Sequence, residues 1–170
     1  MTPQQLQIYL HQHIPLTQAM DVTVVEASQH QVVLSAPLAP NINHRDTVFG
    51  GSASAVAILA AWSMLHLRLS AEGLGSRLVI QRNTMEYLAP IDGTFTAVAQ
   101  APAAVVWQPF SRMLQRKGLG RIAQASTLHY QGRPAGQLVG EFVAFGAGYQ
   151  GWHAHALSAR AGQLTDERAD

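Results

Sequence analysis

Residues 41–54 read Asn-Ile-Asn-His-Arg-Asp-Thr-Val-Phe-Gly-Gly-Ser-Ala-Ser, a polar loop that runs into a double glycine. A long segment without formal charge follows at once, and its length and composition predict a helix over 50–69, about five turns at 3.6 residues each. The first turn of a helix carries backbone N–H groups with no internal partner, at the positive end of the helix dipole. Gly50 and Gly51 put no side chain between those donors and a ligand. The place suits a carbonyl oxygen or an oxyanion. Asn43, His44 and Asp46, just upstream, are candidates for the remaining chemistry. Each has a plainer alternative. The glycines would also permit tight packing against a strand, Asn43 would serve in a turn, His44 would face solvent, and Asp46 would satisfy loop donors as a cap.

Upstream of this stretch, Thr2-Pro3-Gln4-Gln5 carries a capping-box pattern with Pro at the first helical position. A helix is expected from there to Pro15. Val-rich stretches at 20–27 and 31–36, separated by Ser28-Gln29-His30, predict a hairpin. Downstream, Gly73 and Gly75 close the long helix. Residues 77–89 predict a long strand ended by Pro90-Ile91-Asp92-Gly93, and residues 94–101 the next one. A short helix is expected after Pro109, closed by Gly118. Residues 120–130 and 135–145 form a second hairpin around Gln131-Gly132-Arg133. Residues 1–149 read as a single domain. Residues 150–170 mix Ala, His, Arg and acidic residues without period and are expected to form a mobile tail. One apolar helix with about six strands predicts an α+β architecture, an antiparallel sheet wrapped around the helix.

The 170-residue chain is long enough for a sizeable core. Charged residues make up only 12% against 48% hydrophobic, so part of the surface is expected to be covered in an oligomer. With a formal charge of +1 and no run of Lys or Arg, the chain lacks the footprint of a nucleic-acid binder. The absence of cysteine excludes disulfides, thiolate metal sites and a Cys nucleophile. Residues 48–67 are long enough to span a bilayer, but they are rich in Gly, Ser and Ala and fit the buried centre of a soluble fold better. The N-terminus has no signal-peptide pattern, and a cytoplasmic location is expected. No metal is expected, because the pairs His11/His13 and His153/His155 each lack a third ligand.

Three passages resemble the hotdog fold of acyl-CoA and acyl-carrier-protein thioesterases and dehydratases. Asn43 through Gly51 is similar to the asparagine–glycine–His-Gly-Gly loop of phenylacetate-pathway thioesterases, with Phe49 in place of the histidine and Asp46 in place of the glycine. Met85 to Gly93 is similar to the tyrosine–proline–glycine turn after the third hotdog strand. Arg116 to Arg121 leads into the last strand pair. The Phe-Gly-Gly-Ser and Tyr-Leu-Ala-Pro versions most resemble the thioesterase family typified by the C-terminal domain of YiiD, over about residues 5–146. The resemblance implies a homodimer or dimer of dimers in which third strands pair. It also implies a site between subunits at the start of the central helix, an acyl chain lying along that helix, and hydrolysis of an acyl-CoA or acyl-carrier-protein thioester. No separate cofactor is implied, since coenzyme A or phosphopantetheine enters as part of the substrate.

Thioester hydrolysis needs a group that polarises the carbonyl and one that activates water. Backbone N–H of Gly51 is the candidate for the first. For the second, related thioesterases place Asp or Glu two turns into the central helix, and that position here is Ile58. No carboxylate occurs from Thr47 to Ala71. Asp46 is therefore the first candidate for general base, with Asn43 orienting water or carbonyl. His44, Phe49, Gly50, Ser52 and Tyr87 are candidate substrate contacts. Glu86 is a further carboxylate that a partner subunit's site could use. Arg112, Arg116, Lys117 and Arg121 are candidates for the phosphates of coenzyme A. The missing helix carboxylate equally fits a non-catalytic protein that binds acyl thioesters.

Overall fold

The computed structural model describes residues 1–147 and 149; the expected tail at 150–170 lies outside the described residues. The elements follow in the order α1 (Pro3–His13), α2 (Pro15–Ala19), β1 (Thr23–Ala27), β2 (Gln31–Ala36), α3 (Gly50–Ala71), β3 (Ser76–Tyr87), β4 (Phe95–Gln100), α4 (Ala104–Lys117), β5 (Leu119–Tyr130) and β6 (Arg133–Gly146). Six antiparallel strands form one sheet in the order β1-β2-β4-β5-β6-β3. This is the hotdog architecture, with α3 as the helix that the sheet encloses.

The physical reason for the enclosure is legible in α3. Ala53, Val56, Ala57, Ala60, Ala61, Met64 and Leu65 are buried. Small side chains there let the sheet approach closely, and the Ser126 hydroxyl on β5 donates to the Ala57 carbonyl at 2.7 Å. Opposite α3, alternate residues of the strands fill the core, among them Val32, Leu34, Phe95, Leu128, Leu138 and Phe142. Among the described residues α3 is the helix long and apolar enough to cross a membrane, and most of it lies inside the protein.

Several boundaries differ from the sequence reading, each for a local reason. Thr2 does cap α1 through a complete capping box. α1 ends at His13, before Pro15 as expected, and Pro15 then opens a further short helix, α2, that the sequence reading did not include. β1 starts at Thr23, later than expected, because Asp21 takes a left-handed turn (φ 55°) between α2 and the strand. β3 stops at Tyr87, where pairing with β6 ends at Gly136. α4 begins at Ala104, five residues before Pro109, which lies inside the helix. Proline at that place removes one bond, to the carbonyl of Val105, and Val105 is 78% exposed, so water can replace it. Gly118 ends α4 in the left-handed conformation (φ 66°) as expected. The β5–β6 turn takes positive φ at both Gln131 and Gly132, the geometry that suits a two-residue hairpin.

The two sheet edges differ. β1 has five residues, carries a bulge and donates its Val24 N–H to Gln7 of α1 at 3.0 Å. β3 has twelve residues, pairs with β6 on one side only and is mostly exposed. A long unpaired edge of this kind is a template for another strand.

At the far end of α3, α4 docks through Trp107, whose indole donates to Glu72 and lies under the Arg68 guanidinium at 4.4 Å.

Candidate active site at the start of the central helix

The loop before α3 is a tight protruding turn. Asn43 N–H donates to the Thr47 carbonyl at 2.8 Å, and an isolated bridge pairs Ile42 with Val48. Asp46 turns the chain with φ 60°. The side chain of Asn43 holds this turn together. Its Oδ1 accepts from the Arg45 N–H at 2.7 Å, and its Nδ2 donates to the Thr47 hydroxyl at 3.0 Å and to the Val48 carbonyl at 3.3 Å. Those bonds fix the shape of the loop. His44, Arg45 and Asp46 form its exposed tip.

Below the tip the loop is anchored to the core. Val48 N–H donates to Ile91 and Phe49 N–H to Asn41, both at 2.7 Å. Asn41 is buried and donates through Nδ2 to the carbonyls of Met20 (2.9 Å) and Pro37 (2.8 Å). Sequence reasoning missed Asn41: the Met20 carbonyl it holds lies 21 residues away, and nothing in the local pattern signals it.

Phe49 stands at the N-cap with extended backbone and makes no side-chain cap. The first bond of the helix runs from Ala53 N–H to the Phe49 carbonyl. The N–H groups of Gly50, Gly51 and Ser52 therefore precede the helical ladder and face outward from its positive end. Gly51 is exposed and Ser52 half-buried. Both glycines have close neighbours. A Cβ on Gly51 would overlap the Phe49 ring, and one on Gly50 would sit 3.4 Å from the Tyr87 ring. Tyr87 donates its hydroxyl to the Gly50 carbonyl at 2.9 Å, tying the end of β3 to the start of α3. Phe49 and Tyr87 remain 57% and 58% exposed, so two aromatic faces flank the free donors in an otherwise open place. An open cleft of about 280 Å³ lies beside them, lined by Val48, Ala53, Tyr87, Leu88 and Ile91 among others.

The structure also sorts the carboxylates. Glu26 accepts from Ser28 and Gln31 within the β1–β2 hairpin. Glu72 accepts from Trp107, and Glu141 pairs with Arg82 at 2.7 Å on an exposed face. The Asp92 carboxylate beside Tyr130 holds that phenol above its usual pKa. Glu86 lies opposite Gln137, on the face of the sheet turned away from α3, because its neighbours Met85 and Tyr87 face inward. Asp21 sits in the turn before β1. Asp46 is the carboxylate carried by the loop that leads into α3. Ile58 is half-buried on α3.

Other candidates lie elsewhere. Arg112, Arg116 and Lys117 lie on α4 and Arg121 on β5, at the C-terminal end of α3, with no carboxylate within 4 Å of them among the described residues. His11 bonds the Val22 carbonyl and His13 the Tyr9 carbonyl, while His153 and His155 lie outside the described residues. No group of three metal-ligating side chains lies together among the described residues.

A family model described as "Putative thioesterase (yiiD_Cterm)" matches residues 3–146. Among solved structures, a protein of unknown function from Chlorobaculum tepidum is similar at 27% identity with a TM-score of 0.79, covering 85% of this chain and 97% of its own. A "putative thioesterase" from Shewanella oneidensis matches at 25% identity and a TM-score of 0.76, covering 84% and 96%. The Escherichia coli PaaI protein of the phenylacetic acid degradation operon shares the fold at 17% identity and a TM-score of 0.61, covering 85% and 94%.

Proposed function

Because the chain belongs to the YiiD C-terminal thioesterase family, we propose that it hydrolyses an acyl thioester of coenzyme A or of an acyl carrier protein at the start of α3. The observation that carries this reading is the open set of N–H donors at Gly50, Gly51 and Ser52, flanked by Phe49 and Tyr87. In this reading the thioester carbonyl oxygen accepts from the Gly51 N–H. The dipole of a 22-residue helix and the preorganised donors stabilise the charge that develops there. Asp46 takes the proton of the attacking water, and Asn43 fixes the loop that carries it. The thiolate leaves and is protonated from solvent. Ser52 and His44 border the entry. The site is completed by a second copy whose β3 edge pairs with this one, which covers the exposed strand and brings a neighbouring surface to the loop tip.

The hydrophobic residue at Ile58 supports one second reading, a binder of acyl thioesters without turnover, since α3 carries no carboxylate. Thiol release from a panel of acyl-CoAs and acyl carrier proteins, measured beside equilibrium binding, separates the two. Release that Asp46→Asn abolishes is the expected result. Binding without release would establish the second reading, and neither binding nor release would refute both.

A further inference from the structure

Along one face of α3, Gly51 is exposed and Ser54, Ala55, Ile58 and Trp62 are half-buried at helical spacing. β3 runs beside this stripe in the opposite direction. The Tyr87 hydroxyl meets the Gly50 carbonyl at one end, and the Trp62 indole N–H donates to the Leu78 carbonyl at 2.9 Å at the other. Between these two ties, Asn83 and Met85 occupy the inward-facing register of β3, opposite Gly140 and Leu138, and Asn83 is exposed. The partly uncovered face of α3 and the exposed Asn83 of β3 mark the line of a groove between the two elements. It begins at the free N–H donors, and an indole that reaches from helix to strand closes it. His66 stacks on that indole at 4.7 Å between ring centres and Tyr9 stacks on His66 at 4.8 Å, so the wall is backed by two further rings.

We infer that Trp62 sets the length of the acyl chain the protein accepts, the chain lying on the Gly51–Ala55–Ile58 stripe with its end against the indole. This rests on the reading of the α3 start as a thioester site. The occupant is argued from continuity, because an apolar groove that starts at donors for a carbonyl fits a molecule with a carbonyl at one end and methylenes behind it. Gly51 to Trp62 is eleven residues, about 16 Å of helix at ~1.5 Å per residue. A helical side chain covers the turn before its own Cα, which takes about 5 Å from that span. At about 1.25 Å advance per methylene, set by C–C bonds of about 1.5 Å, the remainder holds about nine carbons. Moving the wall by four residues changes the capacity by about 6 Å, or about five carbons.

The test uses S-alkyl-coenzyme A thioethers of rising chain length, titrated by calorimetry, with hydrolysis of the matching acyl-CoAs in parallel. In the unaltered protein, affinity rises about fourfold at most with each methylene and breaks near nine carbons. Ile58→Trp, at a half-buried position, moves the break to about four carbons, and Trp62→Ala moves it to about fourteen. Ile58→Trp keeps the test decisive if Trp62→Ala does not fold. One break common to all three proteins, or no gain with chain length, would overturn the inference. Chain-dependent binding that shifts as stated, with no thiol released, leaves the ruler standing and refutes the hydrolase reading instead.

Discussion

Gly51 is the residue at which packing and chemistry make opposite forecasts, and Gly51→Ala separates them. The substitution puts a methyl group where the Phe49 ring now lies. That ring is 57% exposed and can swing into solvent, so the collision is relieved at small cost. Alanine also favours the helical backbone over glycine by up to ~1 kcal/mol. The net change in stability should fall between zero and ~1 kcal/mol of gain, a rise in Tm of no more than about 4 °C for a domain of this size. The chemistry changes in the other direction. Cα–Cβ bonds in a helix tilt toward its N-terminus, so the methyl and the Phe49 ring it displaces crowd the approach to the Gly51 and Ser52 N–H groups. Losing one oxyanion donor costs about 10²–10³ in turnover. The assay is thiol release from the best acyl-CoA substrate, with thermal unfolding followed on the same preparation. A turnover within about threefold of the unaltered protein would refute the placement of the carbonyl at these donors. A fall in Tm by more than about 5 °C, with activity lost in step, would mean that the glycine serves packing.

Three further outcomes are expected. Asp46→Asn keeps a residue tolerant of φ near 60° but removes the base, so turnover should fall about 10²–10⁴-fold while the unfolding midpoint stays within about 2 °C; unchanged turnover would exclude Asp46. Asn41→Leu strips the partners from the carbonyls of Met20 and Pro37 inside the protein and should cost ~2–4 kcal/mol in chemical denaturation; a loss below about 1 kcal/mol would show that the loop relaxes around the change. His66 is held below its ordinary pKa by burial first and by His13 second. The unfolded chain therefore binds this proton more readily, so His66's contribution to stability is present above about pH 6.5 and is lost as pH falls below it. His66→Phe should flatten that part of the Tm-against-pH curve; a curve unchanged by the substitution would rule out this group.

The candidate site was legible in part because its main feature is local. A polar loop, two glycines and an uncharged helical segment follow one another in the chain, and free N–H donors are a property of any helix start. Contacts among residues far apart were not legible. The tie from Tyr87 to Gly50, the Trp62 indole reaching β3 and the bond from Asn41 to Met20 join positions 16 to 37 residues apart. Asn43 differs in kind: its type and place suggested orientation of water or carbonyl, whereas neighbours two to five residues away within the loop take up its hydrogen bonds.

By itself the sequence determined the element order, the helix that would be enclosed and the residues at its start. These depend on period, capping and glycine, which act over a few residues. The tertiary structure decided which side of α3 stays uncovered, which strand edge stays unpaired and which carboxylates find partners. Those outcomes depend on how a twelve-residue strand, bulged near Ile80 and Arg82, crosses a 22-residue helix. A pattern of residue types carries the period of each element but not the angle or the register at which the two elements meet.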